Sequence, residues 1–290
     1  LGGDISRITG NFTQHYAGHR NQPLEYNQYD VNPASSDGLW SSLYAVVLRD
    51  LRAVQESSRE VGDSIYIGIS QILSAQTYQV LTDLYGDIPF SETMQGVNNI
   101  TPKYDKQEDI YPGLFALFDA GIDNVTSDIG DQPENDDLIY GGEVEKWVRY
   151  GNSLKLRLLN HLSERQPNAA AAFLNTNPAL ISSNAENAQV VFGNSASNAN
   201  PIYGFDQLSG RFDMAVSSTL VDKMQQLNDP RMSQFFFTVL KNGQGRQGKY
   251  FGNIPGGDVD DAGQNRFSRI GPAYASINSP VILMSYAEVQ

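Results

Sequence analysis

The stretch LTDLYGDIPFSE, Leu81–Glu92, decides how the rest of the chain is read. Ahead of it, Ile65, Ile69, Ile72, Gln76, Val80 and Leu84 recur at helical spacing, with Leu73 and Leu81 widening the face. At Gly86-Asp87-Ile88-Pro89 the pattern stops. Glycine frees the backbone to turn, proline cannot continue a helix, and an aspartate can hydrogen-bond a turn's backbone. The spacing predicts a helix from Asp63, a residue suited to N-capping, to Tyr85. No catalytic group stands beside the break, so the turn reads as architecture.

Working outward, three more long helices emerge. One covers roughly Gly38 to Ser57, with Trp40, Leu43, Tyr44, Val47, Leu51 and Val54 as its apolar stripe. Another follows TPKYDKQEDI, striped by Leu114, Leu117, Phe118, Ile122 and Val125. A third covers Glu143 to Glu164 through Trp147, Tyr150, Leu154, Leu158 and Leu162. Its acids come first, and its basic residues and His161 follow, as the helix dipole favours. A short alanine-rich helix spans Asn168 to Leu174. Alternate stripes recur about 70–80 residues apart, roughly two helix hairpins of the tetratricopeptide kind. The expected fold is mainly α: tetratricopeptide-like helix pairs over 35–175, then a loop-rich part over 176–290 with a few short strands. In that second part the reading places strands at Gln189–Phe192 and in FFFTVL, a helix at Ser217–Leu227, and the start of a further helix in SPVILMSYAEVQ.

The composition narrows the function. The 290 residues carry 33 acids against 20 Lys and Arg, a net charge of −13. Nucleic-acid binding needs clustered basic residues, so nucleic acid is not an expected partner. The apolar runs are far shorter than a membrane span requires. There are no cysteines, which excludes disulfides, thiolate nucleophiles and cysteine-type zinc. His15 and His19 stand four apart, but in a Gly-rich polar context without a paired acid, and no metal is assigned there. Asp258, Asp260 and Asp261 form an acidic loop whose spacing does not match the common calcium loop; the sequence leaves calcium open. No nucleotide-binding glycine pattern or hydrolase elbow occurs, and no cofactor is expected.

Aromatics carry more signal. The chain has 15 Tyr and 13 Phe, several of them outside the helical stripes, beside Asn, Gln and Asp. Ring faces pack on the C–H surface of uncharged polar ligands, and neighbouring amides satisfy hydroxyl or peptide groups. The competing reading is that such rings pin loops onto the core.

The segments YQVLTDLYGDIPFSET, PKYDKQEDIYPGLFALFDAGID, WVRYGNSLKLRLLNHLS and PVILMSYAEVQ, in this order and spacing, resemble the SusD/RagB family, in particular its SusD-like branch. NDPRMSQFF resembles that family's Asp-Pro-Arg segment. The resemblance implies one SusD-like domain over 1–290, with both termini reading as cuts. It also implies a surface-exposed outer-membrane lipoprotein, held by a lipid anchor outside this chain. Such a protein captures oligosaccharides or peptides and passes them to a SusC-like TonB-dependent transporter. It implies binding without catalysis. Ligand contacts do not carry over from the motifs. The candidates, taken as lying in non-helical stretches, are Tyr26, Tyr29, Asp30, Tyr203, Phe205 and Arg211. Two rivals stay open: a glycoside hydrolase using paired carboxylates, and a helical protein–protein adaptor.

Overall fold

The computed structural model describes residues 3–240, 245–257 and 266–290, and they are mainly helical. The first half runs α1 (Asp4–Phe12), α2 (Asn21–Asn27), α3 (Ala34–Ser41), a π-helical segment (Ser42–Leu48), α4 (Arg49–Val61), α5 (Ser64–Tyr85), α6 (Gln107–Ser127), α7 (Val144–His161) and α8 (Ala169–Leu174). After it come β1 (Ala188–Val190), α9 (Pro201–Tyr203), a second π-helical segment (Gly204–Leu208), α10 (Ser218–Gln226), α11 (Met232–Phe235) and β2 (Phe236–Phe237). The chain closes with β3 (Arg269–Ile270), α12 (Pro272–Ala275), β4 (Val281–Met284) and α13 (Tyr286–Val289). The strands form two two-stranded sheets, β1 with β4 and β2 with β3. The acidic loop considered for calcium, at Asp258, Asp260 and Asp261, lies outside the described residues.

Residues group into two compact units, 37–189 with 282–290, and 1–36 with 190–281. In the helical unit α4 packs on α5, α5 on α6 and α6 on α7. The core is Ile65, Ile72, Leu81, Leu114, Phe118, Trp147, Tyr150 and Leu154, all nearly or fully buried. Helix α5 is its centre. It was expected to be amphipathic, yet it is buried on most sides, and several of its hydroxyls bond back to the helix's own carbonyls. Ser74 Oγ donates to the Ser70 carbonyl at 2.6 Å and Thr77 Oγ1 to the Leu73 carbonyl at 2.7 Å. Helices α5 and α6 cross at Gly68 and Gly121. A Cβ at Gly68 would lie 2.5 Å from the Gly121 carbonyl oxygen, so only glycine allows this approach.

The turn at Gly86 joins the two helices. Gly86 adopts φ 76°, ψ −116°, a conformation open to glycine alone. Its carbonyl accepts from Thr82 Oγ1 at 2.7 Å, and Asp87 Oδ1 accepts from the Gln107 backbone N–H at 2.9 Å, at the start of α6. Ile88 bridges Asp105 in an antiparallel pair. The Asp105 carboxylate accepts from the backbone N–H groups of Phe90 and Ser91 and from the Ser91 hydroxyl. Burial alone would raise the Asp105 pKa, but these donors outweigh it and hold the carboxyl below its ordinary value.

Three expectations need correcting. The first long helix is interrupted by the π segment Ser42–Leu48, so its buried face steps from Leu43 to Leu48 and on to Gln55 and Ser58. Val47 and Val54, expected inside, are at the surface. An i→i+5 turn adds a residue and rotates everything after it. FFFTVL is strand only at Phe236–Phe237, because Phe235 ends α11. SPVILMSYAEVQ begins as β4 before α13.

The C-terminal segment completes the helical unit. Arg157 on α7 pairs with Glu288 through Nε at 2.6 Å and Nη2 at 2.9 Å, and its Nη2 also donates to the Leu283 carbonyl. Asn187 Oδ1 accepts from the Tyr286 N–H at 2.7 Å. The other unit builds a separate core from Met214, Val216, Val221, Met224, Phe236 and Ile270. Fully buried Asn253 fixes it: its Nδ2 donates to the Ala17 carbonyl at 3.1 Å and its N–H to the Val216 carbonyl at 2.9 Å.

Candidate functional site

The predicted contact residues lie in the unit formed by 1–36 and 190–281. Only part of the set is available at the surface. Tyr26 sits inside helix α2 and is 1% exposed, so its ring belongs to the core and not to a loop. Tyr203 ends α9 and Phe205 lies in a π-helical segment, so neither is in a non-helical stretch. Tyr29 is outside regular structure, at φ 61°, and is 49% exposed. Its ring meets Phe12 edge-on with centroids 5.0 Å apart, and Asp30 beside it is exposed.

Phe205 and Arg211 do come together. The Arg211 guanidinium lies 5.1 Å from the Phe205 ring centroid, and that of Arg7 lies 4.3 Å from it. Arg211 Nε donates to Asp213 Oδ2 at 2.9 Å, and Asn21 Nδ2 donates to the same oxygen at 3.0 Å. Behind this pair is a charged cluster that the sequence reading missed. Asp206 and Asp213 are buried, and each leaves one carboxylate oxygen without a hydrogen bond. Asp206 Oδ2 lies 3.8 Å from Arg269 Nη1. Burial pushes the Asp206 pKa up to about 6 against the pull of Arg269 and Gln207, with Asp213 adding to the rise. The one signal in the sequence was FDQLSGRFD, where each acid follows a phenylalanine.

Two carboxylates with different environments are what a hydrolase uses. Here the cavity that Asp206 lines measures about 10 Å³, far below the several hundred Å³ of a small-molecule site. No sugar ring reaches this carboxylate.

A larger groove of about 440 Å³ lies in the same unit. Ser6, Thr9, Gly10 and Thr13, at helical spacing, present one face of α1 to it. Tyr16, Phe235 and Tyr274 supply rings to the same groove. The sequence reading placed no helix before Gly38, so it did not align these hydroxyls. His15 and His19 share no helix: His15 lies beyond the end of α1, and His19 is buried in the following segment. The His15 Nδ1 is 2.7 Å from Thr13 Oγ1.

The helical unit has its own cavity, of about 650 Å³, where Asp87, Gln107, Tyr111, Phe115, His161 and Arg165 meet. The Tyr111 hydroxyl donates to Asp83 Oδ1 at 2.6 Å, and His161 Nδ1 lies 3.3 Å from Asp83 Oδ2. Burial first, then Asp83, raises the Tyr111 pKa. Among the described residues no group of three or more His, Cys, Asp or Glu converges as metal ligands, and no helix is long and apolar enough to cross a membrane.

The described residues form a helix-pair unit and a loop-rich unit, and each has a cavity that carries aromatic side chains. The model of the SusD-like family described as starch-binding and associating with the outer membrane matches residues 4–290, and the chain belongs to this SusD/RagB family. A chitin-binding protein is 27% identical with TM-score 0.82, the alignment covering 99% of this chain and 65% of that one. A SusD/RagB family protein from Bacteroides thetaiotaomicron is 22% identical with TM-score 0.83, over 99% of this chain and 62% of that one. A chitin-binding SusD homologue from Flavobacterium johnsoniae is 23% identical with TM-score 0.81, over 99% and 60%. The chain thus spans under two thirds of the length of these structures. No curated protein matches it.

Proposed function

We propose that this chain belongs to a cell-surface protein that captures oligosaccharides or peptides and delivers them to a TonB-dependent outer-membrane transporter, without cleaving them. The family match over residues 4–290 carries this reading. The chitin-binding relative at 27% identity favours a glycan as the cargo. Lipid anchoring outside this chain completes the proposal. Within this chain, exposed Tyr29 and Asp30 and the Phe205–Arg211 pair are the proposed contacts, with half-buried Tyr203 beside them in sequence. Rings would pack on sugar C–H faces while the charged groups bind hydroxyls.

Calorimetry on the full-length protein with chito- and malto-oligosaccharides tests it. Saturable heat with at least one series, and no new reducing ends on prolonged incubation, is the expected result. Silence with neutral glycans and peptides alike, or steady product release, rejects the proposal. Co-purification of an outer-membrane barrel with the tagged protein tests the transporter half.

A further inference from the structure

We propose that the groove between helix α1 and the rings of Tyr16, Phe235 and Tyr274 is a second sugar-binding site, taking one or two uncharged pyranose rings. This rests on the glycan reading above and adds a groove that neither Phe205 nor Arg211 lines, though Ser6, Tyr16 and Ile270 border both it and the small cavity beside Phe205. Three observations point to it.

First, the groove has the right charge. Among the described residues no Lys, Arg, Asp or Glu lines it, and its one imidazole, His15, has Nδ1 2.7 Å from the Thr13 hydroxyl oxygen. Arg231, whose guanidinium lies 5.4 Å from the Phe235 ring centroid, is already paired with Asp229 and offers a charged ligand no free partner. At about 440 Å³ the volume lies in the range of small-molecule sites, about 300–1,000 Å³.

Second, the walls have complementary chemistry. Phe235 and Tyr274 stand with ring centroids 5.4 Å apart at 46°, an open V of aromatic surface. In the same groove, Thr9 Oγ1 donates to the Ile5 carbonyl at 2.9 Å and Thr13 Oγ1 to the Thr9 carbonyl at 2.9 Å. The Thr9 proton is spent on the helix, so its oxygen presents lone pairs, whereas Thr13 Oγ1 is shared with His15 Nδ1 and keeps fewer. They accept hydrogen bonds, and a ligand rich in hydroxyl donors satisfies them. Aromatic surface and acceptors in one groove match a pyranose, which has both a C–H face and a hydroxyl edge.

Third, the Tyr16 side chain is held in place and lacks a use. Its ring lies against Gly10, where a Cβ would fall 2.4 Å from Tyr16 Cδ2, and its backbone bridges Val216. Burial, then Tyr274, pushes its hydroxyl up to about 12, with no hydrogen bond contributing. Tyr16 is half-buried, and a phenol that makes no hydrogen bond among the described residues is available to a ligand hydroxyl.

The test uses the full-length protein with chitohexaose and maltoheptaose in calorimetry and saturation-transfer NMR. Tyr16→Phe keeps the ring and removes the hydroxyl; the expected loss of affinity is about 3–10-fold. Thr9→Trp fills the groove and is expected to abolish one binding phase while circular dichroism stays unchanged. Tyr274→Ala, at a ring 38% exposed, is expected to weaken the same phase without unfolding the chain. Wild-type affinity in all three variants, with binding lost in Phe205→Ala, overturns the groove and leaves the glycan reading standing. No sugar binding by the wild type overturns both.

Discussion

The Tyr150 hydroxyl donates to Oε1 of Gln76 at 2.6 Å, deep in the helical unit, where Tyr150 is wholly buried. The bond ties α7 to α5 across helix pairs that are not adjacent in sequence. Gln76 lies on the stripe that the sequence marks as apolar, and Tyr150 explains why a polar residue is tolerated there. Tyr150→Phe leaves the Gln76 carbonyl oxygen buried without its donor, at a cost of about 1–3 kcal/mol. Urea unfolding should show the midpoint fall with little change in slope. The double variant with Gln76→Leu should recover part of the loss, because both polar groups are then gone.

The Gly68–Gly121 crossing makes a sharper demand. Gly68→Ala places a methyl group against backbone rather than a movable side chain. The helices must separate, and overpacking of this kind costs about 1–3 kcal/mol. Gly62→Ala meets open space, so any loss there reflects only its φ of 86°. Comparing the two melting temperatures separates crowding from backbone strain. An equal, small loss in both would refute the crossing as a constraint.

Asp105 holds the turn between α5 and α6 through three donors. Asp105→Ala removes the partner of two backbone N–H groups that water can partly reach, and about 1 kcal/mol should be lost. Hydrogen exchange should accelerate at Phe90 and Ser91 well before the core of α5 is affected.

Asp206 gives a pH signature. Its folded pKa of about 6 exceeds the ordinary 3.8, so the folded state holds the proton more tightly than the unfolded chain. Its contribution is complete below 3.8, is lost as pH rises towards 6, and is level above that. Subtracting the Asp206→Asn unfolding free energy from the wild-type value at each pH removes the other carboxylates. The difference should fall by a few kcal/mol, in order of magnitude, across that window. A difference that rises with pH would show that Arg269, not burial, governs this group.

For binding, Tyr29→Ala tests the exposed ring. Its ring contact is with Phe12, and it is half open to solvent, so stability should change by under about 1 kcal/mol. Affinity for the best neutral glycan should drop several-fold if this ring grips the cargo. Unchanged affinity would remove Tyr29 from the contact set.

The helices over 64–85, 107–127 and 144–161 are legible in the sequence because stripe and stop agree. Trp147, Tyr150, Leu154 and Leu158 were all expected inside, and all are buried. The π segment was not legible. Leu43, Val47, Leu51 and Val54 satisfy a regular helical stripe, and only packing against α5 selects Leu48 and Gln55 instead. Helix α1 escaped notice because Ser, Thr and Gly dilute its pattern. For the candidate site, Phe205 and Arg211 were chosen and do meet, whereas Tyr26 was mistaken for a loop ring. Asp206 and Asp213 were invisible because a buried carboxylate defies the rule by which burial is inferred from sequence.

The clasp between Arg157 and Glu288 has a bearing on biosynthesis. Helix α7 leaves the ribosome more than a hundred residues before the acid that neutralises its arginine. The helical unit therefore cannot reach its final state as it is made, and must wait, incomplete, until the intervening chain has been translated. A stalled nascent chain ending before residue 282 should be more readily digested within α7 than one extended past 290.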